Sequence, residues 1–336
     1  MDIQDQRIFA RSIELRRLLN KSLNHLPVET AIGSAQFTAE DVADKTDACP
    51  WDPTNWGVKN NAAGQAWYDS LLRQYAGWGV DLLKVDCISD HPYKEEEIRM
   101  IRRAIDKTGR HIVLSLSPGP TALAHADAMN ELAEMWRVSD DIWDIWDRPL
   151  TGFPQSVKSQ FARAKSWADL GSKPGHWPDL DMLPLGELRP SPGWAQPRTS
   201  RLNPDEQQTL LTLWAMARSP LILGANLTLL SPQTERLLTN REVLRIDQTA
   251  TSSAEILRDG ELIVWSAKLE TSHAPAHAVA LFNLGDAPLA VDRSLQDLGL
   301  GTKSIAVTDV WTGKKLSKAK RLQLTIPPHG CVLLEP

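Results

Sequence analysis

Two short stretches place carboxylates at the ends of otherwise apolar segments. In "LLKVDCISD", Lys84 and Asp86 interrupt an apolar run, and Asp86 stands where a strand would end. In "MWRVSDDIWD", Arg137 precedes a pair of aspartates that ends with Asp141. Cleavage of a glycosidic bond needs two carboxyl groups, one to attack the sugar or activate water and one to protonate the leaving oxygen. Asp86 and Asp141 are the pair that fits this chemistry.

The two cations beside these carboxylates favour the same interpretation. Side chains two apart on a strand share a face, so Lys84 would keep Asp86 ionised and nucleophilic. Arg137 would serve Asp141 or the hydroxyl groups of a sugar. The structural alternative is that Lys84 and Asp86 form a buried ion pair that braces a barrel, and that Asp140 or Asp141 caps a helix. Spacing alone leaves both interpretations open.

Other reaction chemistries find less support in the sequence. Asp179 and Asp181 in "GHWPDLDMLPLG" lack further metal ligands nearby, and the eight histidines show no ligand spacing. No glycine-rich phosphate loop follows a strand, and Ser115 and Ser117 lack the context of a nucleophile elbow. We therefore expect no metal and no cofactor.

Composition narrows the class of partner. The chain of 336 residues suits one large and one small domain. A net charge of −5 without a Lys/Arg block predicts neither a nucleic-acid nor a membrane partner. Neither a signal peptide nor a run of roughly 18 apolar residues is evident, so a soluble chain is expected, with compartment and oligomeric state open. The 13 tryptophans fit a packed core or the stacking of sugar rings.

The middle of the chain alternates helix and strand between residues 62 and 245. Strands that are mainly apolar and separated by helices, such as "HIVLSLS", predict a parallel sheet covered on both faces. A doubly wound sheet and a (β/α)₈ barrel both fit. Polar residues end successive strands at Asp86, Ser117, Asp141 and Asp181. A barrel gathers such ends around one mouth, which favours the barrel.

The count of strands falls short of a closed barrel. Taking "RIFARSI" (7–13) as the first strand gives six, whereas a closed barrel needs eight. Residues 14–61 read as a long loop rich in Asp, Asn and Pro.

A second pattern begins at the C-terminal end of this region. Short strands such as "ELIVWSAKL" and "HAVALFNLG" are separated by turn residues, and Leu322, Leu324 and Ile326 alternate strictly. The sequence therefore predicts a barrel domain at 1–247 and an all-β antiparallel domain at 248–336.

Five segments together resemble a known family. "YAGWGVDLLKVDC", "MWRVSDDIWDIW", "GHWPDLDMLPLG", "RSPLILGANL" and "LTNREVLRIDQ" are similar, in this order, to signature segments of glycoside hydrolase family 27, the α-galactosidase (melibiase) family. "DVWTGK" and "IPPHGCVLLEP" resemble the family's C-terminal domain. The resemblance implies a (β/α)₈ TIM-type barrel followed by an antiparallel β-sandwich. It implies a retaining hydrolase of terminal α-D-galactosides, with a carbohydrate as its partner.

The resemblance also assigns roles to residues. It implies that Asp86 is the nucleophile and that Asp141, rather than Asp140, is the acid/base. A Cys49–Cys87 disulfide is one pairing that it implies. Retention requires the two carboxyl groups to be about 5–6 Å apart, whereas about 9 Å would favour inversion. Positions that match substrate-binding or pocket-lining residues are Lys84, Arg137, Ser117, Asp181, Met182 and Phe9.

One departure from the family pattern concerns the N-terminus. Family members begin with two more strand–helix units, which carry a tryptophan and paired aspartates that grip the sugar's 4- and 6-hydroxyls. Here "RIFARSI" resembles the third strand, so we expect a barrel that lacks its first two strands. The corresponding hypothesis is that the chain alone is inactive or unstable unless another chain fills the gap.

A second departure concerns specificity. "SLSPGP" lies where many family α-galactosidases have a glutamate for the 2-hydroxyl and N-acetylgalactosaminidases have smaller residues, and Ser117 with Pro118 follows neither pattern. β-L-Arabinopyranosidase, α-N-acetylgalactosaminidase and isomalto-dextranase activities stay open. An alternative from another class is a truncated or degenerate, non-catalytic carbohydrate-binding paralogue.

Overall fold

The computed structural model describes most of the chain after the first strand predicted from the sequence. The described residues are 27–28, 37–168, 170, 174–189, 195–270 and 276–336. The predicted strand at 7–13, and with it Phe9, lies outside them. Two compact units, Met1–Arg137 and Val138–Pro336, divide the chain and are described separately.

The first unit combines two antiparallel strand pairs with a parallel sheet. Strand β1 pairs with β2 and β3 with β4, both antiparallel, whereas β5, β6 and β7 are parallel neighbours in that order. The elements are β1 (Pro27–Val28), β2 (Phe37–Thr38), α1 (Ala39–Val42), β3 (Ala43–Cys49), β4 (Asp52–Val58), α2 (Ala62–Gly77), β5 (Leu82–Val85), α3 (Glu95–Thr108), β6 (Val113–Leu116), α4 (Ala126–Leu132) and β7 (Met135–Arg137).

Helix α3 has one buried apolar face. Its residues Ile98, Ile101 and Ile105 recur at helical spacing and are fully buried, as the sequence predicts. The helix ends at Gly109, whose φ of 69° is the left-handed conformation that glycine adopts without a steric penalty. The apolar face of α3 therefore contributes to the core of the unit.

The prediction of a loop across 14–61 is wrong for its second half. This stretch forms the short helix α1 and the hairpin of β3 and β4. Thr38 and Asp41 form a reciprocal capping box at the start of α1. The strands are rich in Asp, Asn and Thr and only partly buried, so their sequence carries little strand propensity.

The second unit begins with helices and short strands and ends in a β-sandwich. Its first elements are α5 (Val157–Ala168), β8 (Trp177–Asp179), β9 (Glu187–Leu188), β10 (Arg198–Thr199), α6 (Pro204–Ala217), α7 (Pro232–Leu238) and α8 (Arg241–Thr249). The apolar run "PLILGANL" (220–227) predicts a further strand, and this prediction is wrong: the segment makes only a one-residue bridge, between Leu223 and Leu183. None of the helices in the described ranges is both long enough and apolar enough to cross a membrane.

The stretch "NPDE" (203–206) predicts the capped start of a helix, and α6 begins there. The Asn203 side chain caps the helix by accepting a hydrogen bond from the Glu206 amide at 3.0 Å, and the Glu206 carboxylate accepts one from the Asn203 amide at 2.8 Å. Pro204 fills the first helical position, where no amide hydrogen is needed.

The sandwich confirms the antiparallel prediction for the end of the chain and adds three strands to it. Strands β11, β14 and β16 were not predicted, because they are polar and largely exposed, and β11 and β16 form the two edges of the larger sheet. The sheets are ordered β11-β12-β13-β18-β15-β16 and β14-β17. The strands are β11 (Ala250–Asp259), β12 (Leu262–Leu269), β13 (Ala276–Asn283), β14 (Leu289–Ser294), β15 (Ile305–Asp309), β16 (Lys315–Ala319), β17 (Arg321–Ile326) and β18 (Cys331–Glu335).

The two sheets share one apolar core. Val264 and Leu281 from the larger sheet pack in the same cluster as Val291 and Ile326 from the smaller one. Along β17, Leu322 and Ile326 are buried and the residues between them are exposed or half-buried, as strict alternation predicts.

We predict a pH-dependent contribution to stability from Asp247 in α8. Burial raises the pKa of Asp247 to about 7, and the nearby Arg218 guanidinium acts in the opposite direction. Between about pH 4 and 7 the folded chain keeps the Asp247 proton, whereas the unfolded chain releases it. The contribution of Asp247 to the free energy of unfolding is therefore fully present below about pH 4 and is lost as the pH rises through 7.

Asp247→Asn should lack this dependence. Urea unfolding followed by circular dichroism at several pH values should show its advantage over the wild type growing between about pH 4 and 7. A difference that stays constant across this range would contradict the assignment.

Candidate active site

One candidate group of residues lies in the first unit, at the carboxyl end of β5. Leu83 and Val85 are completely buried, whereas Lys84 and Asp86, which alternate with them, are half-buried on the opposite face. None of the ion pairs found among the described residues involves Lys84. The strand thus uses its apolar side chains for packing and presents a cation and a carboxylate together.

Three predicted residues stand in one row across the sheet of the first unit. Val85 pairs with Leu116, and Leu116 pairs with Trp136. The next residues along the three strands are Asp86, Ser117 and Arg137. The Ser117 amide donates to the Val85 carbonyl at 2.8 Å, which keeps Ser117 beside Asp86. Both Ser117 and Arg137 are buried, at 4% and 2% exposure.

A residue that the sequence did not single out contacts Asp86. Trp51 lies at the tip of the β3–β4 hairpin, and its indole Nε1 donates to Asp86 Oδ2 at 3.3 Å. Cys49 and Cys87 form a disulfide, the pairing that the resemblance implied. Cys87 follows Asp86 directly and has a φ of 67°, so the chain turns sharply after the carboxylate. The hairpin tip is thereby attached to the end of β5.

A second candidate group of residues lies in the second unit, around Asp141. Asp141 is half-buried, and its carbonyl accepts a hydrogen bond from the Gln155 amide at 2.8 Å. The next amide, that of Ile142, donates to Asp181 Oδ2 at 2.8 Å. Because both ends of this stretch are held, the backbone that carries the Asp141 side chain is restrained.

Asp181 is itself fixed by three hydrogen bonds. Besides accepting from Ile142, it donates its amide to Asp179 Oδ1 at 2.8 Å, and its carbonyl accepts from Trp214 Nε1 at 3.0 Å. Its φ of 81° is rare for a residue with a side chain, and these contacts stabilise it. Met182 packs against Gly224, where a Cβ atom would lie 2.3 Å from the methionine sulfur. Substrate contact by Asp181 and Met182 stays a prediction.

The geometry does not favour a metal at the two aspartates weighed from the sequence. Asp179 and Asp181 each direct a carboxylate oxygen at a backbone amide. Within the described ranges, no group of three or more His, Cys, Asp or Glu side chains is placed to hold an ion.

A buried ion pair that sequence reasoning missed supports the loop after Asp141. The Asp144 carboxylate is completely buried and forms an ion pair with the guanidinium of Arg198. Arg198 Nε donates to Asp144 Oδ2 at 2.9 Å. The Arg201 amide donates to the same carboxylate at 3.0 Å. The hydrogen bond to Asp144 raises the pKa of Arg198, and the guanidinium lies 5.3 Å from the ring centroid of Trp143. These partners are 54 or more residues away in sequence, so no local pattern predicts them.

The same loop is held by the sandwich. The rings of Trp146 and His329 are stacked, with centroids 4.2 Å apart. His329 Nδ1 lies 2.7 Å from Glu206 Oε1, and its Nε2 lies 2.8 Å from Asp286 Oδ1. The loop after Asp141 therefore packs on a histidine whose two nitrogens both have partners.

We predict that Arg198→Ala lowers the free energy of unfolding by about 3 kcal/mol, because it leaves the Asp144 carboxylate buried without its counter-charge. Urea unfolding measures the effect. Arg321→Ala, which breaks the exposed pair with Asp292, is the matched control and should change stability far less. The double variant Arg198→Ala/Asp144→Ala should regain part of the loss. If Arg198→Ala and Arg321→Ala lower the free energy of unfolding equally, the Arg198–Asp144 pair does not have the stabilising role predicted here.

Comparisons with known proteins decide the family. The model described as "Alpha galactosidase A" matches residues 61–249, which is more than half of the chain. A second model, the "Alpha galactosidase C-terminal beta sandwich domain", matches 259–335. The chain belongs to the α-galactosidase family, glycoside hydrolase family 27. Its architecture is the family's TIM-type barrel with a C-terminal β-sandwich.

Relatives in this family include proteins of different specificity. The chain is 27% identical to α-galactosidase 2 of Arabidopsis thaliana over 77% of its length, and 29% identical to α-N-acetylgalactosaminidase of Gallus gallus over 77%. It covers 60% and 62% of these two relatives, so it spans about three-fifths of their length. The crystal structure of a family 27 β-L-arabinopyranosidase from Geobacillus stearothermophilus is similar, with 39% identity and a TM-score of 0.82. This similarity covers 90% of the present chain and 68% of the other.

Proposed function

We propose that this family 27 chain is a retaining glycoside hydrolase that removes a terminal pyranose of galactose configuration. The observation that carries the proposal is the half-buried Asp86 at the end of a parallel strand, with Lys84 on the same face and Ser117 and Arg137 in the same row. A carboxylate beside a cation at this edge suits attack on an anomeric carbon.

The reaction has two steps. In the first, an Asp86 oxygen bonds to the anomeric carbon while the bond from that carbon to the leaving oxygen breaks, and the leaving oxygen takes the proton of Asp141. In the second, Asp141 accepts a proton from water, the water oxygen bonds to the anomeric carbon, and the electron pair of the Asp86–sugar bond returns to the carboxylate. Two inversions give net retention.

Lys84 and Arg137 would bind the sugar. Their N–H donors suit the hydroxyl oxygens of a sugar. A buried guanidinium such as that of Arg137 presents donors in a fixed, planar arrangement, which selects hydroxyl geometry.

We assign β-L-arabinopyranosides as the preferred substrates. β-L-Arabinopyranose has the ring configuration of α-D-galactopyranose without the hydroxymethyl group, so one pocket suits both. The 39% identity to the β-L-arabinopyranosidase, over nine-tenths of the chain, supports this choice. α-D-Galactosides are the second candidate, because curated relatives at 27% identity are α-galactosidases.

A panel of p-nitrophenyl glycosides tests the proposal with the purified chain. Release of nitrophenol should be fastest from the β-L-arabinopyranoside, slower from the α-D-galactopyranoside, and absent from the β-D-galactopyranoside control. Proton NMR of the first product formed should show retained configuration at the anomeric carbon. Inverted product would overturn the mechanism. No turnover of any glycoside would overturn the activity and support the expectation of an inactive chain.

A further inference from the structure

Trp51 is an exposed aromatic residue that the structure holds unusually firmly. Half of its surface, 50%, is exposed. Its indole N–H is bonded to Asp86, and its ring meets the edge of His91 with centroids 6.4 Å apart. Cys49, two residues earlier, is linked to the residue after Asp86. Core packing does not explain three such restraints on a half-exposed indole. They indicate that the ring is held in place for a ligand.

We propose that Trp51 contacts the substrate, as a stacking surface for the pyranose at Asp86 and as the hydrogen-bond donor that controls one oxygen of the nucleophile. This inference rests on the proposed function. The weakly positive C–H bonds of a sugar face complement the negative face of an indole. Because Trp51 is next to the attacking carboxylate, its ring contacts the sugar that becomes bonded to Asp86, not the leaving group.

The hydrogen bond from Trp51 gives the two carboxylate oxygens of Asp86 different roles. Oδ2 accepts the indole N–H, and no other described residue donates to the carboxylate, so Oδ1 is left for attack on the anomeric carbon. During attack the carboxylate loses negative charge, and the hydrogen bond weakens. During hydrolysis of the sugar ester the electron pair returns to the carboxylate, and the hydrogen bond strengthens. Trp51 therefore assists the second step more than the first.

Trp51→Phe removes the indole N–H that donates to Asp86 and keeps an aromatic ring at this position. Loss of a hydrogen bond to a developing charge should slow the second step about tenfold. The sugar ester then accumulates, so kcat and KM fall together while kcat/KM changes little, and a burst of nitrophenol precedes the steady state. Trp51→Ala also removes the stacking surface and should lower kcat/KM about tenfold or more.

Trp78 provides the matched control. It is 56% exposed, packs beside Tyr75 at the end of α2, and lies away from the carboxyl end of β5. Trp78→Phe and Trp78→Ala should behave as the wild type. If the wild type is active and the Trp51 variants have the same kcat and kcat/KM as the Trp78 variants, the proposed role of Trp51 is wrong. The proposed hydrolase activity is then unaffected.

Oxidation of the wild-type chain provides a test that does not depend on turnover or on the folding of a variant. N-Bromosuccinimide oxidises exposed indoles, and peptide mass spectrometry measures each tryptophan separately. L-Arabinose, or D-galactose, should protect Trp51 at least about fivefold and leave Trp78 unprotected. Equal oxidation of Trp51 with and without both sugars would overturn the stacking contact, whether or not the chain hydrolyses glycosides.

Discussion

Asp86→Asn should abolish turnover of every glycoside that the wild type hydrolyses, with kcat reduced by roughly 10⁴-fold or more. The amide has the shape of the carboxylate and can still accept the Trp51 hydrogen bond, but it lacks the negative charge that attacks the anomeric carbon. Initial rates with the p-nitrophenyl β-L-arabinopyranoside and α-D-galactopyranoside measure the loss. Calorimetry with L-arabinose should show that the variant still binds sugar.

Asp81→Asn is the matched control for this variant. Asp81 lies at the opposite end of the same strand, is exposed and pairs with Arg110. Its replacement should leave kcat close to the wild-type value. Asp86→Ala should recover turnover with azide and give a glycosyl azide of inverted configuration, because azide enters from the face that Asp86 vacated. If Asp86→Asn keeps more than a few per cent of the wild-type kcat, Asp86 is not the nucleophile.

The row that contains Asp86 could be predicted because its signals are local. β5 and β6 are each four residues long with three apolar side chains, and a polar residue follows each of them, so both the strand and the functional position follow from the same short stretch. Parallel strands in consecutive units bring such ends to one edge. The register of β5, β6 and β7 then places Asp86, Ser117 and Arg137 side by side.

The residues that support this row, and those that support the loop after Asp141, could not be predicted, because their partners are distant in sequence. Trp51 reaches Asp86 across 35 residues, from a hairpin whose strands are too polar to be recognised. Asp144 and Arg198 meet across 54 residues. Each of these side chains looks like an ordinary polar or aromatic loop residue until the fold provides its partner.

The loop after Asp141 is positioned from three sides. Asp181 holds the peptide that follows Asp141, Arg198 neutralises the buried Asp144, and His329 of the sandwich stacks on Trp146. A general acid must keep its geometry through both steps of the reaction, since it donates a proton in the first and accepts one in the second. The sandwich thus contributes to the proposed chemistry by packing on the loop that carries Asp141.

Asp141→Asn should show a loss that depends on the leaving group. Without an acid, kcat/KM for a p-nitrophenyl or alkyl glycoside should fall by about 10³-fold. A 2,4-dinitrophenyl glycoside needs no proton to leave, so its kcat/KM should fall less than about tenfold. The second step lacks its base for either substrate, and the sugar ester on Asp86 accumulates. Steady-state and burst kinetics across this leaving-group series measure both effects.

Asp140→Asn is the matched control, because Asp140 is the adjacent aspartate and is also half-buried. It should keep the wild-type dependence on the leaving group. Azide should accelerate Asp141→Asn and give a glycosyl azide of retained configuration, since it attacks the sugar ester from the face that water uses. If Asp140→Asn instead shows the leaving-group dependence and the azide response, the acid/base is Asp140. The contacts of Asp181 and Gln155 would then position the neighbour of the catalytic residue rather than the residue itself.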